Sequence, residues 1–208
     1  MQVIAIDEMG LRKRGRSIRF DTGFEVATSQ AVVKVLHIRV GTVCDSSEAE
    51  FIALIARNAR ECARKRTLDL MARRDYTSHE VAQRLCWDGY DEALAIELTN
   101  HLEDIGLLDD ERYTYGFCAT KLEAGYGPHV ITAKLEQKGI EGQKVKDAID
   151  AYIQNEQFNP VVSARMRIED LDLDDQAQRQ KALRRLVSRG FSYDVVREVL
   201  DHPAYTCS

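Results

Sequence analysis

The residues of this chain that could perform acid–base chemistry lie in the stretch GLLDDERY, where Asp109, Asp110 and Glu111 follow one another. A catalytic carboxylate pair works in a cleft, with a base, a metal or a histidine close by. The surrounding sequence offers none of these partners. Gly106 is typical of the end of a helix, and acidic residues are favoured where the next helix begins and its N–H groups are unpaired. The stretch therefore predicts a joint between two helices, with Asp109 as N-cap.

Other residue types that could support catalysis or hold a metal are poorly placed for either. The five cysteines are scattered, without a CxxC and without a histidine at metal-ligand spacing, so we expect reduced thiols and no zinc site. The glycine-rich stretch GYGPH, residues 125–129, lacks the spacing of a nucleotide-binding loop. The sequence therefore predicts no metal, no cofactor and no enzyme activity. A catalytic role for Asp109 and Asp110 is the weaker alternative.

Basic side chains are the second group with a functional use, because they can bind phosphates or acidic partner surfaces. The net charge of -5 argues against a dedicated DNA-binding protein, but residues 57–74 hold seven basic residues against two acidic ones. A solvated helix face is the alternative explanation for any single run. Nine residues are the hypothetical contacts with a partner or DNA: Arg57, Arg60, Arg64, Lys121, Lys134, Lys138, Lys181, Arg184 and Arg185.

Two further features concern how charged and aromatic residues are positioned. On a helix, Lys181, Arg184 and Arg185 are expected opposite Leu183 and Leu186. Trp87 lies next to a glycine turn and is expected to anchor packing or, alternatively, to be a hot spot for a partner. A basic loop is predicted in the N-terminal part. The basic loop comprises Arg12, Lys13, Arg14 and Arg16.

The elements that must position these residues change character near residue 47. Before it, VIAI (3–6), RSIRF (16–20) and FEV (24–26) predict short strands, and residues 29–41 predict a short helix followed by a strand. After it, apolar residues recur at helical spacing. We therefore expect a small β-containing domain over residues 1–47 in a mainly α protein.

A repeat of about 50 residues organises the helical part. Each copy has a leucine, then a glycine followed by an apolar residue, then a small or branched residue. Tandem three-helix units are predicted over 48–108, 109–157 and 158–208, and such arrays usually form an elongated, curved body. The corresponding positions are Leu85, Leu135 and Leu186; Gly89, Gly139 and Gly190; Tyr90, Ile140 and Phe191; and Ala95, Val145 and Val196. The first helices of the copies are expected at 59–72, 110–124 and 160–170.

The chain resembles the RecX family of regulatory proteins, which modulate the bacterial RecA recombinase. The resemblance rests on GLLDDERY, on KLEAGYGPHVITAKLEQKGI (121–140) and on the three-helix repeat, and it covers about residues 55–202. Lys121 stands where the family usually has arginine and cannot make arginine's planar two-point contacts. The most specific positions are Leu107, Asp109, Asp110, Gly125, Gly127, Ile131, Leu135, Lys138, Gly139 and Ile140.

The resemblance implies a regulatory protein without catalytic residues. Such a protein binds the RecA–DNA filament and inhibits its extension, ATP hydrolysis and strand exchange, so that it modulates recombination, DNA repair and the SOS response. We expect RecA on DNA as the partner, weak DNA contact, no membrane, a cytoplasmic location and a monomer. The alternative is a stand-alone nucleic-acid-binding helical repeat protein, which would bind DNA tightly without RecA and lose affinity steeply with salt.

Overall fold

Alternating residues near the N-terminus form the predicted small sheet. In this computed structural model, which describes residues 1–10, 12 and 14–202, the strands are β1 (Val3–Met9), β2 (Gly15–Phe20) and β3 (Glu25–Ser29). They pair antiparallel in the order β1-β2-β3. The turn between β2 and β3 uses Gly23, whose φ of 85° suits a residue without a Cβ.

The strand expected after the first helix does not form. Helix α1 (Gln30–Val35) begins at Ser29, whose side chain accepts a hydrogen bond from the Val32 N–H. The chain then turns twice in the left-handed region, at His37 with a φ of 52° and at Gly41 with a φ of 90°. Two such turns prevent residues 36–43 from forming an extended strand. The segment pairs with the N-terminus through an isolated bridge between Gln2 and Val43.

The first three-helix copy consists of α2 (Glu48–Met71), α3 (Ser78–Trp87) and α4 (Glu92–Asp104). Helix α2 begins earlier than predicted because Ser47 and Glu50 form a capping box, and Thr77 and Glu80 form another before α3. The three helices share one core with the sheet, in which Phe20 packs edge-on against Phe51 with ring centroids 5.1 Å apart. Sheet and helices therefore stabilise each other.

The basic loop of the N-terminal part lies against the end of α3. The Arg12 guanidinium lies 3.9 Å from the centroid of the Trp87 ring, a distance typical of a cation–π contact. Arg14 and Arg66 each donate to Asp88 at 2.6 Å. Lys13 lies outside the described residues. Arg12 and Arg14 therefore bind within the chain, whereas Arg16 lies in β2 rather than in the loop and pairs with Glu8 at 3.5 Å.

Replacing Asp88 with alanine is expected to lower the free energy of unfolding by about 1–2 kcal/mol, because two guanidinium groups lose a carboxylate whose side chain is 12% exposed. Urea unfolding followed by the fluorescence of Trp87, the sole tryptophan, measures this change. The control Glu97→Ala breaks the Arg60–Glu97 pair, whose side chains are 59% and 53% exposed, and should cost less than about 0.5 kcal/mol. Equal losses in both variants would contradict the prediction.

The other two three-helix copies follow Asp109. They comprise α5 (Asp110–Glu123), α6 (Pro128–Glu136) and α7 (Gly142–Asn155), then α8 (Pro160–Met166), α9 (Gln176–Ser188) and α10 (Tyr193–Asp201). Helix α8 is shorter than predicted, because Arg167 caps it and Ile168 turns into the core. The mainly α fold with tandem three-helix units and a small N-terminal sheet is confirmed.

By compactness the chain divides into two units, and the division falls within GLLDDERY. The first unit covers residues 1–109 and the second begins at Asp110. The finer division at 47, 108 and 157 stays a prediction. Among the residues that the structure describes, no helix combines the length and apolar character needed to cross a membrane.

The glycine of each repeat copy ends a helix in the same way. The N–H of the apolar residue after the glycine donates to the carbonyl of the leucine five positions earlier, at 3.0–3.2 Å. This is the Schellman arrangement, which needs a left-handed residue at the glycine and is often accompanied by an apolar contact between the bonded pair. The glycines have φ of 89°, 83° and 82°, and the three leucines are fully buried: Gly89, Gly139 and Gly190, with Leu85, Leu135 and Leu186.

The second and third copies meet backbone to backbone inside the second unit. The Gly127 N–H donates to the Arg189 carbonyl at 2.7 Å, and the His129 N–H donates to the Gly190 carbonyl at 3.1 Å. A Cβ on Gly127 would lie 2.2 Å from the Gly190 carbonyl carbon. Glycine is therefore required at Gly127 by the close approach of two backbones.

Candidate partner-binding surface

The carboxylates of GLLDDERY lie at the start of a helix, as the sequence predicts. Asp110 and Glu111 occupy the first turn of α5, where negative charge is favourable. An open cavity of about 720 Å³ lies beside them and is lined by charges of both signs. In the described part of the chain, no three metal-ligating side chains converge as a metal site would require. The arrangement fits a helix start.

The described cysteines differ in burial, and we therefore expect their thiols to differ in reactivity. Cys118 is fully buried, which raises the pKa of its thiol to about 11. Burial also raises the pKa values of Cys44, Cys62 and Cys86 above their ordinary value. Cys207 lies outside the described residues. Cys86 is the exposed thiol among those described.

Cys118 is expected to react with an aromatic disulfide reagent at least roughly a hundredfold more slowly than Cys86, because its fully buried side chain keeps the reagent out and its raised pKa leaves little thiolate, whereas Cys86 is exposed. The measurement compares reaction time courses of the native protein, Cys86→Ser and Cys118→Ser at neutral pH. Cys86→Ser should lose one fast-reacting thiol, whereas Cys118→Ser should lose a slow one. A fast thiol missing from Cys118→Ser would contradict the burial of this side chain.

The three predicted contacts on α2 differ in availability. Arg57 and Arg64 are exposed and form no ion pair with any described residue. Arg60 donates to Glu97 on α4 at 2.6 Å. Arg57 and Arg64 therefore remain available to a partner, whereas Arg60 would have to exchange Glu97 for it.

The three predicted contacts on α9 also differ. Lys181 and Arg184 are exposed. Arg185 instead donates to both carboxylate oxygens of Asp170 and, at 3.0 Å, to the Arg167 carbonyl. This pairing lowers the pKa of Asp170 through the hydrogen bond, and it raises the pKa of Arg185.

Leu183, which the sequence grouped with Leu186 opposite the basic residues of α9, is not buried with it. Its side chain is 36% exposed, while Ala182 and Leu186 are fully buried. The physical reason is that α9 packs on the arc through Ala182 and Leu186, and Leu183 lies one position beyond it. Leu183 thus lies at the edge of the accessible side of α9.

The remaining three predicted contacts are lysines that lie over aromatic rings. Tyr113 and Phe117, one turn apart on α5, have ring centroids 6.2 Å apart and nearly parallel planes. The Lys138 Nζ lies 5.5 Å from the Tyr113 centroid, and the Lys121 Nζ lies 5.5 Å from the Phe117 centroid. The set forms what we call the aromatic–cation stripe: Tyr113, Phe117, Tyr126, Lys121, Lys134, Lys138 and Arg189.

Tyr126, in the corner between α5 and α6, is the centre of the stripe. Lys121 and Lys134 place their Nζ atoms 5.7 and 5.0 Å from its ring centroid, and the Arg189 Cζ lies at 5.5 Å. These distances are typical of cation–π contacts. Arg189 also donates to the Gly125 carbonyl at 3.2 Å, which fixes its guanidinium at the ring.

The lysines of the stripe are among the contacts predicted from the sequence, whereas its three aromatic residues and Arg189 are not. The i, i+4, i+8 spacing of Tyr113, Phe117 and Lys121 was a signal that could have found part of it. Arg189 and Tyr126 come together only through the contact between the second and third copies. All three rings are half-buried, so one part of each packs on the core and the rest is accessible.

Comparison with known proteins relates this chain to one family. A model described as the RecX second three-helix domain matches residues 109–149, and one described as the RecX third three-helix domain matches residues 164–200. The "Regulatory protein RecX" of Halorhodospira halophila is 33% identical over 143 residues, covering 67% of this chain and 86% of that protein. The protein of the same name from Clostridium botulinum is 24% identical over 202 residues, covering 94% of both chains.

Solved structures show the same fold. A crystal structure of regulatory protein RecX superimposes with a TM-score of 0.62 at 22% identity, covering 96% of this chain and 98% of that one. The crystal structure of RecX from Lactobacillus salivarius gives a TM-score of 0.61 at 25% identity, covering 69% of this chain and 95% of that one. The similarity therefore extends over nearly the full length of each solved chain.

Proposed function

The chain belongs to the RecX family of regulatory proteins, and from this premise we propose that it binds the RecA–DNA filament and inhibits filament extension, ATP hydrolysis and strand exchange. In this role it modulates recombination, DNA repair and the SOS response. The observation that carries the proposal is the 33% identity to a regulatory protein RecX over 86% of that protein's length. We further propose that it acts by binding and without catalysis, as a cytoplasmic monomer.

The charge distribution supports a filament as the partner. A RecA–DNA filament presents both protein and phosphate surface, and a protein with a net charge of -5 is poorly suited to wrapping DNA alone. Exposed basic side chains supply local positive charge on two helices, at Arg57 and Arg64 of α2 and at Lys181 and Arg184 of α9. We propose that these faces contact the filament.

The experiment measures DNA-dependent ATP hydrolysis by RecA from the same organism while this protein is titrated in. Binding to free DNA is measured alongside. We expect inhibition at sub-stoichiometric amounts together with weak binding to free DNA. An unchanged rate of ATP hydrolysis at stoichiometric amounts would refute the proposal.

A stand-alone nucleic-acid-binding protein is the second candidate function, and the aromatic–cation stripe is the observation that favours it. Lysines beside accessible rings suit a nucleic-acid strand. This candidate predicts tight DNA binding without RecA and a steep loss of affinity with salt. Tight, salt-sensitive binding without any effect on RecA would establish it in place of the filament regulator.

A further inference from the structure

We propose that the aromatic–cation stripe of the second unit is a contact site for single-stranded nucleic acid. In this site Lys121, Lys134 and Arg189 bind phosphates, and the Tyr126 ring stacks on a base. The inference deepens the proposed function and rests on it, because a regulator seated on a RecA–DNA filament meets the strand that the filament holds.

The charge at Tyr126 is what first points to a polyanion. Lys121 and Lys134 form no ion pair with any residue that the structure describes. Arg189 donates a hydrogen bond to the Gly125 carbonyl, which is uncharged. Three cationic groups thus converge on one ring from α5, from α6 and from the end of α9. Like charges held this close repel each other, and a phosphate chain between them would relieve the repulsion.

The rings favour nucleic acid over other polyanions. Lysine stems commonly cover aromatic surface for packing alone, so the charges by themselves would not select a partner. Here, however, Tyr113, Phe117 and Tyr126 are each partly accessible beside their cations. Aromatic side chains along a basic track are how proteins hold single strands, since every unpaired base offers a face to stack on.

A single strand fits better than a duplex for the same reason. Bases in a duplex are stacked on each other and cannot stack on Tyr126 without being flipped out. Only an unpaired strand can therefore contact the second unit through both its phosphates and the faces of its bases. Because the site holds few cations in a protein of net negative charge, we expect weak affinity for free DNA. Once the protein is seated on a filament, the same contacts should add to its affinity for that filament.

The test uses fluorescence anisotropy of labelled oligothymidylate with the full chain over a series of salt concentrations. The double variant Lys121→Gln with Lys134→Gln should weaken binding and reduce the slope of log K against log salt by about 1.4, or about 0.7 for each lost phosphate contact. Tyr126→Leu should weaken binding roughly tenfold with little change in that slope. A labelled duplex of the same length should bind more weakly than the single strand.

The matched control is Lys144→Gln with Lys146→Gln, which removes two exposed lysines of α7 in the same unit. An equal loss in this control would show that net charge alone matters and would overturn the site. A second result would also overturn the site: polyglutamate binds as tightly as oligothymidylate, and Tyr126→Leu changes neither affinity. That result would indicate a surface for an acidic protein. Circular dichroism of each variant verifies that it is folded.

The two proposals can fail separately. A protein that inhibits RecA but whose stripe variants bind oligothymidylate like the unaltered chain would overturn this inference alone. A protein that binds oligothymidylate through the stripe but leaves RecA unaffected would overturn the filament proposal and keep the site.

Discussion

The Gly127→Ala variant is expected to lose about 3 kcal/mol or more of unfolding free energy, although it adds only one methyl group. The new Cβ would lie 2.2 Å from the carbonyl carbon of Gly190 and 2.3 Å from the Phe191 nitrogen. Both are backbone atoms that cannot rotate away, so the second and third copies would have to separate. Separation would also break the hydrogen bonds that Gly127 and His129 donate to the third copy.

The control for this variant is Gly116→Ala in the same unit. Gly116 lies within α5, and a Cβ there would meet nothing within 4 Å. An alanine in a helix interior is more favourable than a glycine by about 0.5–1 kcal/mol, so Gly116→Ala should stabilise the protein. Urea unfolding followed by far-UV circular dichroism measures both changes. If the two variants have similar stabilities, the backbone contact at Gly127 does not form in solution.

The joints within each repeat copy could be predicted from the sequence because their geometry is local. A Schellman turn involves six consecutive residues, and the spacing from Leu135 to Gly139 and Ile140 already contains its requirements. The capping box of Thr77 and Glu80 is local in the same sense, because it spans four consecutive residues. Such elements depend on neighbours in the chain, so a single sequence suffices to identify them.

The contact between the second and third copies could not be predicted, because its partners are far apart in the chain. Arg189 reaches the Gly125 carbonyl across a separation of 64 residues, and Arg167 reaches the Glu123 carbonyl across 44. Helical spacing shows which residues share a face and leaves open what that face meets. Leu183 illustrates the limit, since the sequence grouped it with Leu186 and its position on α9 leaves it accessible.

The sequence predicted the charged residues of the candidate site but not the aromatic rings and hydrogen-bond partners around them. Lys121, Lys134 and Lys138 were identified from their type. Tyr113 and Phe117 were missed because an aromatic residue in a helix is usually part of the core. Charge type also could not separate Arg184 from Arg185, which are adjacent in sequence. Only the fold shows that Arg185 is bound to Asp170 and the Arg167 carbonyl.

Arg184→Glu is expected to raise the concentration of this protein needed for half-inhibition of RecA ATP hydrolysis by about tenfold, which corresponds to 1.4 kcal/mol of binding. Arg184 is exposed, and its reversal places a negative charge on the face that we propose meets the filament. Because its side chain is exposed to solvent, the urea midpoint should stay where it is in the unaltered protein. RecA ATP hydrolysis and urea unfolding, measured on the same preparation, test both halves.

The neighbouring variant Arg185→Ala should give the opposite pair of results. Its hydrogen bonds hold the segment after α8, so the urea midpoint should fall, while inhibition by the folded protein should be nearly unchanged. The pair also has a pH signature, because Arg185 holds the pKa of Asp170 below its ordinary value of 3.8. Because the folded-state pKa of Asp170 is lowered, its stabilisation is fully present above the ordinary value and is lost as pH falls through the lowered one. The difference between Arg185→Ala and the unaltered protein should therefore shrink in strong acid to the part that comes from the hydrogen bond to the Arg167 carbonyl. If Arg184→Glu lowers the urea midpoint and leaves RecA inhibition intact, α9 does not present its basic face to the filament.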